Sequence, residues 1–357
     1  MAESHCEVHL GTLRPALEAL PAFQPSLHLS PRPGIIFSRA AHSGAQSARG
    51  PKMPMTLAIR DVTLFQAGFD DLCPGLRALG LDAVEAALTS HLTLPAPVDS
   101  LHPGLSVRTP AEIAAAAEAY AACGCRLCAL FLPTNFNAPR RDPEVDWTVT
   151  ALEIARGLGV GVVRVDGAMS GPDHLTRRRR VALFTEAVER ILAATPGSPV
   201  RLAIENHGRQ GNDLAWLEEV LARTDPARVG LTLDPANLYW AGASLSGVYA
   251  AVERLAPRVF HVHLKNVRYP EAVRERSRPL GWEYGRCVAP VLAGDLDYRR
   301  ILALLRAAGY AGALALEEES LAKVPPAERA GLLRKTVEAL REWTEVSPLS
   351  PLEQANG

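Results

Sequence analysis

Short apolar runs recur along the chain from Met55 onward, each followed by a longer Ala- and Leu-rich stretch with helical spacing. The runs are TLAIR (56–60), LDAVEAAL (81–88), RLCALFL (126–132), VGVVRV (160–165), VRLAIE (200–205), VGLTLD (229–234), VFHVHLK (259–265) and GALALE (312–317). Between them lie stretches such as PAEIAAAAEAYAAC, DWTVTALEIARGLG, RRRRVALFTEAVERILAAT, LAWLEEVLART and DYRRILALLRAAGY. Strands that alternate with helices predict a parallel sheet. Eight is also the count at which such a sheet closes, and residues 55–345 fit the size of a closed barrel. The competing arrangement is an open doubly wound sheet. Its dinucleotide-binding form carries G-x-G-x-x-G after the first strand, and AGFDDLCPG is not that turn. The expected fold is therefore α/β, a (β/α)8 TIM barrel.

Side chains alternate across a strand, so each run divides into two faces. At 259–265, Phe260, Val262 and Leu264 oppose His261, His263 and Lys265. At 200–205, Leu202 and Ile204 oppose Arg201, Ala203 and Glu205, and His207 continues the second set. Val229, Leu231 and Leu233 oppose Gly230, Thr232 and Asp234; Leu314 and Leu316 oppose Ala313, Ala315 and Glu317. Val84, Ala86 and Leu88 oppose Ala83, Glu85 and Ala87, and Val163 and Val165 oppose Val162 and Arg164. Large aliphatic residues are expected to face the helices. The inward face is small near the strand start and ionisable near its C-terminal end, where βα barrels keep their active sites. Four successive strands thus bring Glu205, Asp234, His263 and Glu317 to one rim. One inward carboxylate alone is explained by a salt bridge to Arg164 or Lys265. Four in register are costly unless they coordinate something.

Composition narrows the partners. Of 357 residues, 48% are hydrophobic and 22% charged, enough for a sizeable core. Lys plus Arg is 38 against 39 Asp plus Glu, so no whole-molecule field favours nucleic acid. No apolar run reaches the ~18–20 residues of a membrane helix, and the N-terminus lacks a signal-peptide layout. The expectation is a cytoplasmic protein, alone or as a homo-oligomer, with a small-molecule partner. Residues 1–54 contain SPRPGIIFSRAAHSGAQSARGPK, which has no sustained period. They are expected to be a disordered extension or an over-long start, and 346–357 a C-terminal tail. Three of the six cysteines lie in CGCRLC, 123–128. A zinc site needs a fourth ligand and usually a second knuckle, so these are expected to be reduced core thiols beside a strand.

Three carboxylates and one imidazole at one point repel each other without a cation. Oxygen ligands with one His suit a divalent ion: Mn²⁺, Mg²⁺ or Co²⁺ best, with Zn²⁺ compatible. Open positions on the ion would take the carbonyl and adjacent hydroxyl of a sugar. The ion would acidify the α C–H and stabilise an enediolate, and Glu205 or Glu317 would move the proton.

LAIENHG, GLTLDPANL, HVHLKN and GDLDYRRILALLRAAGYAGALALE resemble, in order and spacing, the last four strands of the xylose-isomerase-like sugar phosphate isomerase/epimerase superfamily. VVRVDG and LDAVEAAL resemble its fourth and second strands, so the resemblance covers roughly 55–345. It implies metal ligands at Glu205, Asp234, His263 and Glu317, with Glu205 and Glu317 as the proton-transfer pair and His261 in support. The ketose 3-epimerase pattern is broken at three positions: its His, Glu and Arg fall on Asn237, Gly211 and Tyr269. ENH and HLKN look like the broader isomerase branch. That branch implies His207 and Lys265 against substrate oxygens and Arg164 on a polar or anionic group. Asn237 and Glu85 complete the expected substrate contacts; a salt bridge from Arg164 to Glu85 or Glu205 is the structural alternative.

The expected activity is a metal-dependent isomerase or epimerase acting on a keto-sugar, cyclitol or related polyol. The same site can instead run elimination or decarboxylation on a 3-keto sugar derivative, as a lyase. An abasic-site endonuclease would need more histidines and a basic face. Residues 266–293, with Trp282, Tyr284 and five arginines, are expected to cover the site. RRRR at 177–180 is expected to be a solvated helix face.

Overall fold

The computed structural model describes residues 55–98, 104–137, 141–167 and 175–345. The segments 1–54 and 346–357 lie outside the described residues, and the expectations for them with it. Eight parallel strands close into a barrel: β1 (Thr56–Arg60), β2 (Ala83–Ala87), β3 (Arg126–Leu132), β4 (Val162–Asp166), β5 (Arg201–Glu205), β6 (Val229–Leu233), β7 (Val259–Leu264) and β8 (Ala313–Leu316). Each strand pairs with its sequence neighbours, and β1 closes the ring on β8 through Thr56 opposite Ala313. The principal helices are α1 (Leu72–Leu79), α2 (Pro110–Ala122), α3 (Asp142–Gly157), α4 (Arg177–Ala194), α5 (Leu214–Ala222), α6 (Leu245–Leu255), α7 (Tyr298–Ala307) and α8 (Pro326–Glu345). Among the described residues, no helix is long and apolar enough to cross a membrane.

The strand faces divide the core in two. Val84, Leu130, Val163, Leu202, Leu231, Val262 and Leu314 belong to one large cluster shared with the helices. Inside the barrel the residues are small. Ala58, Ala83, Ala313 and Ala315 form one cluster, and Ala129, Val162 and Ala203 a second, with Cys128 against both.

One face assignment is corrected. Phe260 packs with the interior cluster of Ala129, Val162 and Ala203, not on the helix side with Val262 and Leu264. The pairing of β6 with β7 slips: Leu231 lies opposite Val259, but Thr232 lies opposite His261. Phe260 is the extra residue of this bulge, and a bulge re-aims a side chain that simple alternation would send outward. Gly230 makes the room, because a Cβ there would meet the Phe260 ring at 2.7 Å. Arg201 stacks on the same ring, 4.3 Å from its centroid. A second slip, between Val84 and Glu85, turns Cys128 into the interior.

Local capping fixes several segments near the rim. Asp234 is the N-cap of a short helix, Pro235–Trp240; its side chain accepts from the Asn237 amide, and Pro235 opens the first turn. Asn206 exchanges two hydrogen bonds of 2.7 Å with the backbone of Asp234, joining the ends of β5 and β6. The connection after β7 is held down by its arginines. Arg278 donates to the Tyr239 and Ala243 carbonyls and stacks on Tyr239 and Tyr269, while Arg274 pairs with Asp295 at 3.0 Å. In RRRR, Arg177 to Arg179 are exposed as expected, and Arg180 turns in toward Asp213 at 3.6 Å.

Gly230→Ala should destabilise the fold by about 1–3 kcal/mol, since the added methyl meets the Arg258 carbonyl at 2.4 Å as well as Phe260. The urea midpoint measures this. A midpoint unchanged from wild type would show that Phe260 does not fill the barrel floor.

Candidate metal centre

The C-terminal ends of the strands converge on the barrel mouth. Glu205, Asp234, His263 and Glu317 each place one donor atom within 4.8 Å of the others. Glu205, Asp234 and His263 are fully buried and Glu317 nearly so. His263 Nδ1 faces Glu205 Oε1 at 3.2 Å and Glu317 Oε2 at 3.4 Å. Asp234 divides its two oxygens. Oδ1 caps the helix, and Oδ2 turns into the mouth, where it meets the Lys265 ammonium at 3.1 Å. Asn237 donates to Glu205 Oε1 at 3.1 Å, so the residue that stands where ketose epimerases have a His orients a carboxylate here. Gly211, where those epimerases have a Glu, lies against the Glu205 carbonyl so closely that a Cβ would sit 2.9 Å from it. Tyr269 is buried between Tyr239 and Trp282.

Glu85 lies deeper, at 1% exposure, and its Oε2 meets both His261 Nε2 at 2.9 Å and His263 Nε2 at 2.7 Å. This places it under the donor set rather than on open space. Burial alone would raise its carboxyl, but the two histidines outweigh that and hold it well below the usual range. Burial also opposes charge on both rings. For His263, Glu85 and Glu317 overcome it and raise the imidazole above its ordinary value; for His261, burial wins and lowers the imidazole below it. Burial likewise works against the Glu317 charge, yet Arg60, Lys265 and His263 hold that carboxyl well below the usual range. Asp234 goes the other way: burial raises it despite Lys265.

Arg164 is 2% exposed and pairs with Glu205 and with Asp166, the latter at 3.0 Å. The expected Glu205 bridge is thus present, and the larger partner set includes a residue that the strand pattern reaches but was not extended to. His207, about a third exposed, meets Asp166 Oδ1 at 3.1 Å. Burial opposes the Asp166 charge, but Arg164 and His207 outweigh it and lower that carboxyl. Asp166 is two residues beyond Arg164 on the same face, so alternation alone would have found it. Arg60, also missed, closes β1 and contacts Glu317; Arg60 and Arg164 both stack on Phe131, at 4.8 and 4.0 Å. Glu318 faces away and accepts from the Val291 amide and from Ser320. Glu319 returns to the mouth, where Lys265 Nζ reaches it at 2.9 Å and the Tyr284 hydroxyl donates to it. Tyr284 is the part of the 266–293 connection that contacts the site.

A test of fit to a cation follows from the charges. At the inward strand ends, Glu85, Asp166, Glu205, Asp234 and Glu317 stand against Arg60, Arg164 and Lys265, five carboxylates to three permanent cations. Carboxylates thus outnumber the permanent cations there, an excess that a divalent ion would offset, and no thiol belongs to the set. Glu85 Oε1 is buried without a hydrogen-bond partner. Carboxylates with one imidazole suit an ion of intermediate hardness.

The family model for xylose isomerase-like TIM barrels matches residues 75–343, and the chain belongs to that family. Within it, the chain is 26% identical over 231 residues to an inosose dehydratase of Klebsiella pneumoniae (strain 342), covering 60% of this chain and 77% of that one. It is 29% identical over 218 residues to an inosose dehydratase of Yersinia enterocolitica, covering 55% and 70%. A solved structure of the IOLI protein with a binding zinc atom superposes with a TM-score of 0.61 at 17% identity, over 82% of this chain and 100% of that chain. At that identity the likeness shows the fold.

The Glu85–His263 contact carries a pH signature in the metal-free protein. The depressed Glu85 carboxyl contributes stability that is present above its unfolded value near 4.5 and lost as pH falls through its folded value. The raised His263 contributes stability that is present below 6.5 and lost as pH rises through its folded value. A Glu85→Gln, His263→Asn double-mutant cycle should therefore show its largest coupling between about 4.5 and 6.5, fading on both sides. A coupling that stays flat across this range and beyond it would rule the charged pair out.

Proposed function

We propose that this chain is a divalent-metal-dependent lyase that dehydrates a keto-cyclitol or a related 3-keto sugar. Glu205, Asp234, His263 and Glu317 would hold the ion. Bound there, it would polarise a substrate carbonyl and make the α C–H more acidic. The sequence relatives named inosose dehydratase support this class over the isomerase or epimerase alternative. The observation that carries the choice is the Asp166–His207 pair beside Glu205.

Elimination of water needs two proton movements in different places. A base takes the α proton, and an acid supplies a proton to the departing hydroxyl. Glu205 or Glu317 stands at the donor set for the first. His207, more exposed than its neighbours and oriented by Asp166, stands at the rim for the second. Isomerisation makes both proton movements with the two glutamates and leaves His207 only a substrate oxygen to bind, whereas elimination gives the Asp166–His207 pair a proton to deliver. Lys265, held by Asp234 and Glu319, would meet a substrate oxygen. Arg164 and Asn237 would act by positioning Glu205. The ion is to be found among Mn²⁺, Mg²⁺, Co²⁺ and Zn²⁺; the zinc of the structural neighbour puts Zn²⁺ in the trial set.

Elemental analysis should find about one divalent ion per chain, lost in Glu205→Gln and in His263→Ala while circular dichroism stays unchanged. The loaded protein should convert a keto-cyclitol to a conjugated enone, followed by its ultraviolet absorbance. His207→Asn should keep the metal and lower kcat by about 10²–10⁴-fold. A protein that exchanges the α proton with solvent and yields only a non-absorbing isomer would return the reading to isomerase or epimerase. One that takes up no ion, even with excess Mn²⁺ or Zn²⁺, would end both.

A further inference from the structure

Glu85 is expected from the sequence to contact substrate, but it is 1% exposed and its side chain meets histidines instead. It stands on β2, opposite Arg60 of β1, and reaches across the barrel to β7. β1 and β8 lie between those two strands. They present Ala58, Ala313 and Ala315 to the interior, so little side-chain bulk stands in the way. Ala315 is the β8 residue opposite His263. Glu85 Oε2 is 2.9 Å from His261 Nε2 and 2.7 Å from His263 Nε2, and the two rings stand nearly perpendicular, at 84°. Oε1 has no hydrogen-bond partner among the described residues, so the hydrogen bonds of this carboxylate serve the two rings.

We infer that Glu85 is a positioning residue for the metal centre: it holds the proton of His263 on Nε2, so that Nδ1 turns a lone pair to the ion. The role rests on Glu205, Asp234, His263 and Glu317 holding that ion, as the proposed function has it. A neutral imidazole carries one proton, and an ionised carboxylate only accepts hydrogen bonds. Each ring therefore donates from Nε2 to Glu85. His263 has a competing choice, because its Nδ1 faces Glu205 Oε1 at 3.2 Å and Glu317 Oε2 at 3.4 Å. A proton there would put an N–H where a ligand needs a lone pair. The shorter contact, 2.7 Å against 3.2 Å, favours Nε2. With Glu205 and Glu317 given to the ion, Glu85 is the acceptor left for the ring N–H. His261 donates to the same oxygen and keeps the carboxylate from swinging away. A carboxylate behind a metal-binding imidazole fixes the ring's orientation and also makes it a more basic ligand.

The test measures Zn²⁺ and Mn²⁺ affinity by chelator competition and locates the His263 proton by long-range proton–nitrogen correlation NMR of the zinc-loaded full chain. The His263 ring is identified by its loss in His263→Asn. In the wild type its proton should sit on Nε2 and the ion on Nδ1. Glu85→Ala should weaken both affinities by about 10–100-fold. Glu85→Gln loses the charge but keeps an acceptor oxygen, so it should weaken them less. The wild-type spectrum decides the position of the proton even if Glu85→Ala fails to fold. A proton on Nδ1, or an affinity unchanged in Glu85→Ala, would overturn the inference while the donor set stands. Equal losses in Glu85→Ala and Glu85→Gln would trace the effect to charge rather than to the hydrogen bond, and would overturn it too. A wild type that takes up neither ion would end this inference together with the proposed function.

Discussion

The structure turns on an excess of negative charge held away from water. Five carboxylates close the inner ends of the strands, and only Arg60, Arg164 and Lys265 are permanently positive among them. Isolated ionised groups in such a place cost many kcal/mol, so each carboxylate must find a counter-charge or take up a proton. The two outcomes coexist. Glu85 and Glu317 stay charged because histidines and cations face them, whereas burial pushes Asp234 toward its protonated form. The division of labour between the histidines has the same origin. One carboxylate oxygen of Glu85 serves two rings; the ring that also faces Glu317 is raised above the ordinary imidazole value, and the other is lowered by burial.

The scaffold is arranged to supply this mouth and little else. The lower interior is alanine, with Phe260 and Arg201 filling the floor. Large aliphatics are kept for the strand–helix layer, where they bind the eight βα units together. Loops then finish the site. The chain after β7 is fastened by Arg278 and Arg274, which leaves Tyr284 aimed at Glu319 and, through it, at Lys265.

Much of this was legible because a barrel strand is a simple code. Period-two alternation placed Glu205, Asp234, His263 and Glu317 on one side without any structure, and eight apolar runs gave the closure. Where the code fails, the cause is physical. The bulge at Phe260 inserts one residue and reverses its face, and nothing in VFHVHLK marks the slip; its only trace is Gly230 on the neighbouring strand. Glu319 lies beyond its strand and returns through a turn, so register says nothing of it. Asp166 and Arg60 are different. They follow the code, one step past VGVVRV and at the end of TLAIR.

Asp234 is constrained twice over. Its two oxygens serve two masters: one closes the first turn of a helix, the other points to the barrel mouth. Asparagine there can still cap a helix but brings no charge. Glutamate brings the charge on a longer arm, at a position where a short side chain is needed for the cap. The position therefore has no conservative neighbour in sequence space, and a lineage that drifts away from aspartate must give up either a capped turn or a charge at the barrel mouth.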